Sequence, residues 1–191
     1  MSTLQDFTDE QRVLLISLPF RTGLWVSESD AGGGGEASEA EMMVLESLIT
    51  GYSEDFLKSE FVEELMRATL ERRDEWDGWT ADIDDVPGEC GGALVILKEK
   101  LDARDVLSFR QTLMEIAKAV AMAYGEDEEL SDAAGRKPSV FLKFFARFKG
   151  RSAEADLSAN ISGDERQALA ELSKVLEVDL DGNPLKDAVA A

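Results

Sequence analysis

Histidine is absent from all 191 residues, and with it go the commonest general base, the Ser-His and Cys-His nucleophile pairs and imidazole metal ligation. Most hydrolase chemistries are thereby excluded. Cysteine occurs once, as Cys90, so no internal disulfide can form and a reducing compartment suits the chain. Cys90 sits between Glu89 and Gly91, where carboxylates would raise a thiol pKa, so it reads as a structural residue and not as a nucleophile. Long apolar runs are also missing: no stretch approaches the roughly 18 residues of a membrane span. The opening Met1-Ser2-Thr3-Leu4-Gln5-Asp6 has no basic region ahead of an apolar one. The expectation is a cytoplasmic chain with neither export nor membrane spanning.

Positive charge is scarce as well. Twenty Lys plus Arg stand against 40 Asp plus Glu, a formal net charge of -20. Such a molecule is a poor partner for DNA, RNA or anionic lipid, and its natural counterparts are cations and basic proteins. Hydrophobic residues at 44% and charged residues at 31% are near globular averages, so the acidity is a bias of sign and not a mark of disorder. The length suits one domain with a core of its own.

Helix signals dominate the chain. Thr8 with Gln11 forms a capping box ahead of Val13, Leu14, Leu18, Trp25 and Val26, a segment that Pro19 should kink or split. Gly32 to Gly35 break the chain, and Ser38 with Glu41 caps a second helix carrying Met42, Leu45, Leu48, Ile49 and Tyr52. Ser53 or Ser59 opens a third through Phe61, Leu65 and Leu70, which ends before the acidic run Asp74 to Asp85. Pro87 and Gly88 punctuate the next start, and Ala93 to Leu101 reads as a short buried helix, though Leu94 to Leu97 also has the length of a strand. From about Asp105 to Tyr124, Leu113, Ile116, Ala117, Val120, Ala121 and Tyr124 recur on one face, as expected of a central helix. Phe141, Phe144, Phe145 and Phe148 mark another, and Ser162 with Glu165 caps the last, with Leu169, Leu172, Val175 and Leu176. The predicted fold is an all-α single-domain bundle of about six or seven helices.

Motifs that could carry chemistry are few. Gly32-x-Gly34-x-x-Ala37 has the outline of a dinucleotide loop, but it follows a helix and its flanking Glu28, Asp30 and Glu36 would repel a pyrophosphate. Three acidic clusters could hold calcium or magnesium: Glu28 to Glu41, Asp74 to Asp85, and Glu126 to Asp132, although solvated surface charge is the ordinary reading of each. Asp82-x-Asp84 fails as an EF-hand, because Pro87 takes the sixth position and Ala93 the twelfth. Glu177-Val178-Asp179-Leu180-Asp181-Gly182 comes closer, yet its twelfth position is Ala188, and an Asp-Gly turn explains it. Lys137 to Arg151 is the one basic island, with Lys143, Arg147 and Lys149 around the four phenylalanines. It could serve as a membrane or partner-binding helix or simply pack into the core.

Two stretches repeat a helix, a turn and a helix opening with an acid. The first runs from Leu18 to Val26, through Ser29-Asp30-Ala31-Gly32, to Ser38-Glu39-Ala40-Glu41. The second runs from Ile116 to Met122, through Ala123-Tyr124-Gly125, to Ile161-Ser162-Gly163-Asp164-Glu165. In this pattern the chain resembles the TerB-like family associated with tellurite resistance and stress response. The resemblance implies two pseudo-repeated halves, at about 8–73 and 88–178, with an insertion at about 126–160. It also implies a cytoplasmic stress-related role and an acidic surface for cation or partner binding, with Asp30, Glu39 and Glu41 as metal candidates in the first half and Asp164 and Glu165 in the second. The chain departs from the family where Tyr124 replaces the usual Asp, and about 35 residues separate the second turn from its helix.

Together these point to a non-enzymatic scaffold that binds a divalent cation weakly, calcium or magnesium, or docks a basic protein partner. The alternatives are a metal-dependent enzyme with an all-carboxylate site and an adaptor working through the phenylalanine-rich helix at 139–149. Self-repulsion at -20 predicts that the melting temperature rises as salt or divalent ions screen the acids. A thermal scan that ignored both would contradict it.

Overall fold

A computed structural model describes residues 3–29, 45–47, 49–50, 59–123 and 161–185. Among them the chain is an all-α bundle of helices α1 (Asp9–Glu28), α2 (Glu60–Glu71), α3 (Val86–Lys100), α4 (Ala103–Ala123) and α5 (Gly163–Leu176). Short 3-10 segments at Leu4–Asp6, Arg73–Thr80 and Ile83–Asp85 complete it, and residues 45–47 and 49–50 are helical. No described helix is long and apolar enough to cross a membrane.

The capping signals act where local chemistry places them. Thr8 accepts from the Gln11 N–H while the Gln11 side chain accepts from the Thr8 N–H, and Ser162 and Glu165 do the same at the start of α5. Ser59, of the two serines considered, caps α2. The segment 93–101 is helical and not a strand, but α3 begins earlier, at Val86. Pro87 lies in its first turn, where a missing N–H leaves no bond unmade, so the proline initiates the helix instead of preceding it. The acidic run is no plain connector either: it coils into 3-10 turns whose Trp76 and Trp79 are buried.

The centre of the bundle is α1 and not the helix after Asp105. Every residue from Leu15 to Ser27 is buried, including Ser17, Arg21 and Thr22, and α1 packs against α2, α3 and α4. A helix covered on all sides shows no apolar stripe, which is why its pattern understated its role. Pro19 does not split it. That turn is braced from outside by Thr69 of α2, whose hydroxyl donates to the Ile16 carbonyl at 2.6 Å. α4 carries the expected buried face of Leu113, Ile116, Ala117, Val120 and Ala121, and α5 lies across α3 and α4 through Leu169, Leu172 and Leu176. Burying each such side chain contributes roughly 1.5 to 3 kcal/mol. The second helix of the sequence reading is described only in part, with Leu45 and Ile49 buried. Its start, the glycine loop, Tyr124 and the phenylalanine-rich segment lie outside the described residues, and so does all but the first residue of each turn in the two proposed halves.

Gly23 is where α1 receives that partly described helix. A Cβ built on it would overlap the terminal methyl groups of Leu45. Gly23→Ala is therefore expected to destabilise by about 1 to 3 kcal/mol through overpacking. Urea unfolding of Gly23→Ala, Leu45→Ala and the double variant should show the two costs to be less than additive. Strict additivity would show that the two residues do not meet.

Candidate functional site

Arg21 is a cation in the middle of a buried helix, with a side chain only 8% exposed. Burying a guanidinium costs several kcal/mol unless each of its donors finds an acceptor. All five do. Nε and one Nη2 hydrogen go to the two carboxylate oxygens of Glu89 on α3, at 2.8 and 3.1 Å. Nη1 donates to the carbonyls of Trp79 and Ala81, and Nη2 also donates to that of Asp82, at 3.1 Å. The acceptors are 58 to 68 residues away in sequence, so this one side chain ties α1 to α3 and to the acidic segment between α2 and α3.

The same segment is held from its other side by aromatic packing. The Phe20 ring stacks on Trp76 with centroids 4.6 Å apart, Trp79 lies 6.3 Å from Phe20, and the Trp76 indole N–H donates to the Thr69 carbonyl at 3.1 Å. Asp82 takes a left-handed conformation, φ 50°, to turn the chain between the two 3-10 pieces. Its carbonyl is one of those that Arg21 holds.

This scaffold leaves Asp74, Glu75, Asp77, Asp82, Asp84 and Asp85 exposed on the segment 74–85, an acidic ledge. Glu75 pairs with Arg72 at 3.8 Å. Among the described residues, Asp74, Asp77, Asp84 and Asp85 have no basic side chain within ion-pair distance. At the end of α1, burial and the nearby Asp84 raise the pKa of Glu28 above the ordinary carboxylate range, so repulsion extends from the ledge to this helix terminus. Its folded form favours the proton, so the Glu28 charge opposes folding at neutral pH, and that penalty fades as the pH falls toward the ordinary carboxylate value.

The residues singled out from the sequence fall elsewhere. Asp30, Glu39 and Glu41 lie outside the described residues. Asp164 is exposed in the first turn of α5, whereas Glu165 is buried at 1% exposure with one carboxylate oxygen accepting from the Ser162 N–H. Neighbours in sequence, the two face different surroundings. Among the described residues, no three or more Asp, Glu or Cys are gathered as a metal ion requires. Cys90 is fully buried beside the Thr22 hydroxyl, and burial pushes its thiol up to about 12, with Glu89 adding to the shift. It is an inert core residue, more through desolvation than through the neighbouring carboxylate.

The stretch from Glu177 to Gly182 is a docked turn. Glu177, in left-handed conformation at the end of α5, receives Lys98 at 3.0 Å and Arg110 at 2.8 Å, and the Lys98 hydrogen bond is the largest of the effects that lower its pKa. Asp179 accepts from the N–H groups of Asp181 and Asn183, and Gly182 completes the turn at φ 77°. The buried Lys118 ammonium donates to the Leu180 carbonyl and pairs with Asp181 at 3.6 Å. These acids serve the fold.

No protein-family model, curated protein or solved structure matches the chain in comparison.

Sequence reasoning singled out the acidic run but missed Arg21, which looks from the sequence like an isolated base in an apolar helix. Arg21→Met keeps much of the volume and removes every donor, leaving Glu89 and three turn carbonyls unpaired. The expected cost is about 3 to 5 kcal/mol in urea unfolding, with Trp fluorescence reporting a loosened segment before global unfolding. A variant as stable as wild type would show that the arginine does not organise the ledge.

Proposed function

We propose that the chain is a non-enzymatic, TerB-like docking protein of the stress-response type, which engages a basic segment of a protein partner through the ledge at 74–85. The observation that carries this reading is the complete engagement of Arg21. It fixes the backbone under the ledge, so the carboxylates are held in place before a partner arrives and little ordering entropy is lost on binding. The acids are spread over twelve residues of chain and among the described residues no three gather as a metal site would, which suits several Lys and Arg side chains better than a single ion. Exposed charges of this kind contribute modestly to affinity one by one, but together they steer association and make it depend on salt. Resemblance to the TerB-like pattern and the all-α fold support the family reading, and the absence of histidine supports a binding role over a catalytic one.

A fluorescent twelve-lysine peptide tests the ledge by anisotropy at low ionic strength. Changing Asp74, Asp77, Asp84 and Asp85 together to Asn should weaken binding by about tenfold or more and flatten the dependence of Kd on salt. Removing the same number of charges from exposed positions elsewhere, Glu60, Glu63, Glu99 and Glu171 to Gln, should weaken it much less. Equal losses from the two variants would reduce the effect to net charge and remove the ledge as a site.

A further inference from the structure

A groove of about 550 Å³ opens beside the ledge, between the first half of α1 and the 3-10 segment that Arg21 holds. Its floor is apolar. Val13 is 45% exposed there, one of only two large hydrophobic side chains so exposed among the described residues, and Leu14 and the Trp79 ring continue the surface. Gly78 forms part of the wall, and a Cβ built on it meets nothing within 4 Å.

The polar groups that line the groove have little to offer an anion. All five Arg21 donors are spent, and the Ser17 hydroxyl donates to the Leu14 carbonyl at 3.0 Å. The rim is acidic. Asp9 pairs with Arg12 and Glu89 with Arg21, while among the described residues Glu10 receives only the Thr8 hydroxyl, at 3.2 Å. Asp77 and Asp82, the exposed ledge residues that bracket the 78–81 wall, add further negative charge.

An apolar floor inside a carboxylate rim fits one kind of occupant. We infer that the groove takes a large apolar side chain of the partner, flanked in the partner's own sequence by Lys or Arg that reach Glu10, Asp77 and Asp82. This rests on the docking reading above and adds what the ledge lacks, a means of choosing among basic partners. Charge alone attracts any of them, whereas an apolar contact favours the one that can cover the floor.

The probes are two peptides of equal charge, one of lysines only and one with a single leucine set among the same number of lysines. On the full chain the leucine peptide should bind about tenfold more tightly. Gly78→Leu, which adds a side chain on the groove's own wall where a Cβ meets nothing within 4 Å, should abolish that excess. Val13→Asp, at an exposed position that does not endanger folding, should do the same to the excess. Two equally bound peptides would overturn the groove while leaving the ledge intact, and binding of neither would overturn the docking reading itself. An excess that survives both substitutions also overturns the assignment. So does sedimentation showing a wild-type dimer that Gly78→Leu turns into a monomer, because the groove then belongs to a second copy.

Discussion

A guanidinium buried in the central helix would oppose folding if any of its donors were left without an acceptor. Around Arg21 the fold supplies Glu89 and three backbone carbonyls, and in doing so it brings α3 and the acidic segment onto α1. Left to itself that segment has little reason to be ordered, since six carboxylates in twelve residues repel one another. The arginine binds its carbonyls from below and the stack of Phe20 on Trp76 anchors its indoles. The carboxylates are left outside, on a backbone they do not themselves stabilise.

Two more buried cations hold a polar turn, with less complete pairing, since the Arg110 Nε has no hydrogen-bond partner among the described residues. Arg110 and Lys118 are buried on α4, with side chains 10% and 3% exposed, and they hold Glu177, Asp181 and the Leu180 carbonyl of the turn after α5. In a chain with twice as many acids as bases, some of the few cations are thus used inside the molecule. They fasten polar turns to the core, and the exterior becomes more negative than composition alone implies. The buried cations and the acidic surface are two sides of one distribution of charge.

Specificity needs more than this field. A uniformly negative surface attracts every polycation, but the groove bounded by Val13, Leu14, Gly78 and Trp79 adds an apolar surface next to the acidic segment. It exists because the wall on one side is the segment that Arg21 carries. In the proposed docking reading, attraction and selection therefore have a common structural origin.

The sequence by itself determined whatever depends on a few neighbouring residues: the reciprocal caps at Thr8 and Gln11 and at Ser162 and Glu165, the periodic face of α4, the all-helical class and the absence of imidazole chemistry. It also determined where acids are concentrated along the chain. Tertiary structure alone decided which acids stay exposed. Glu165 and Glu177 are drawn into a cap and an ion-pair cluster, whereas Asp74, Asp77, Asp84 and Asp85 stay outside. The central place of α1 and the role of Arg21 were likewise hidden, because a helix buried on every side shows no stripe and the acceptors of this arginine lie some sixty residues further on. Local hydrogen bonds and periodicity leave a mark in adjacent positions. Desolvation and long-range pairing leave none until the chain has folded back on itself.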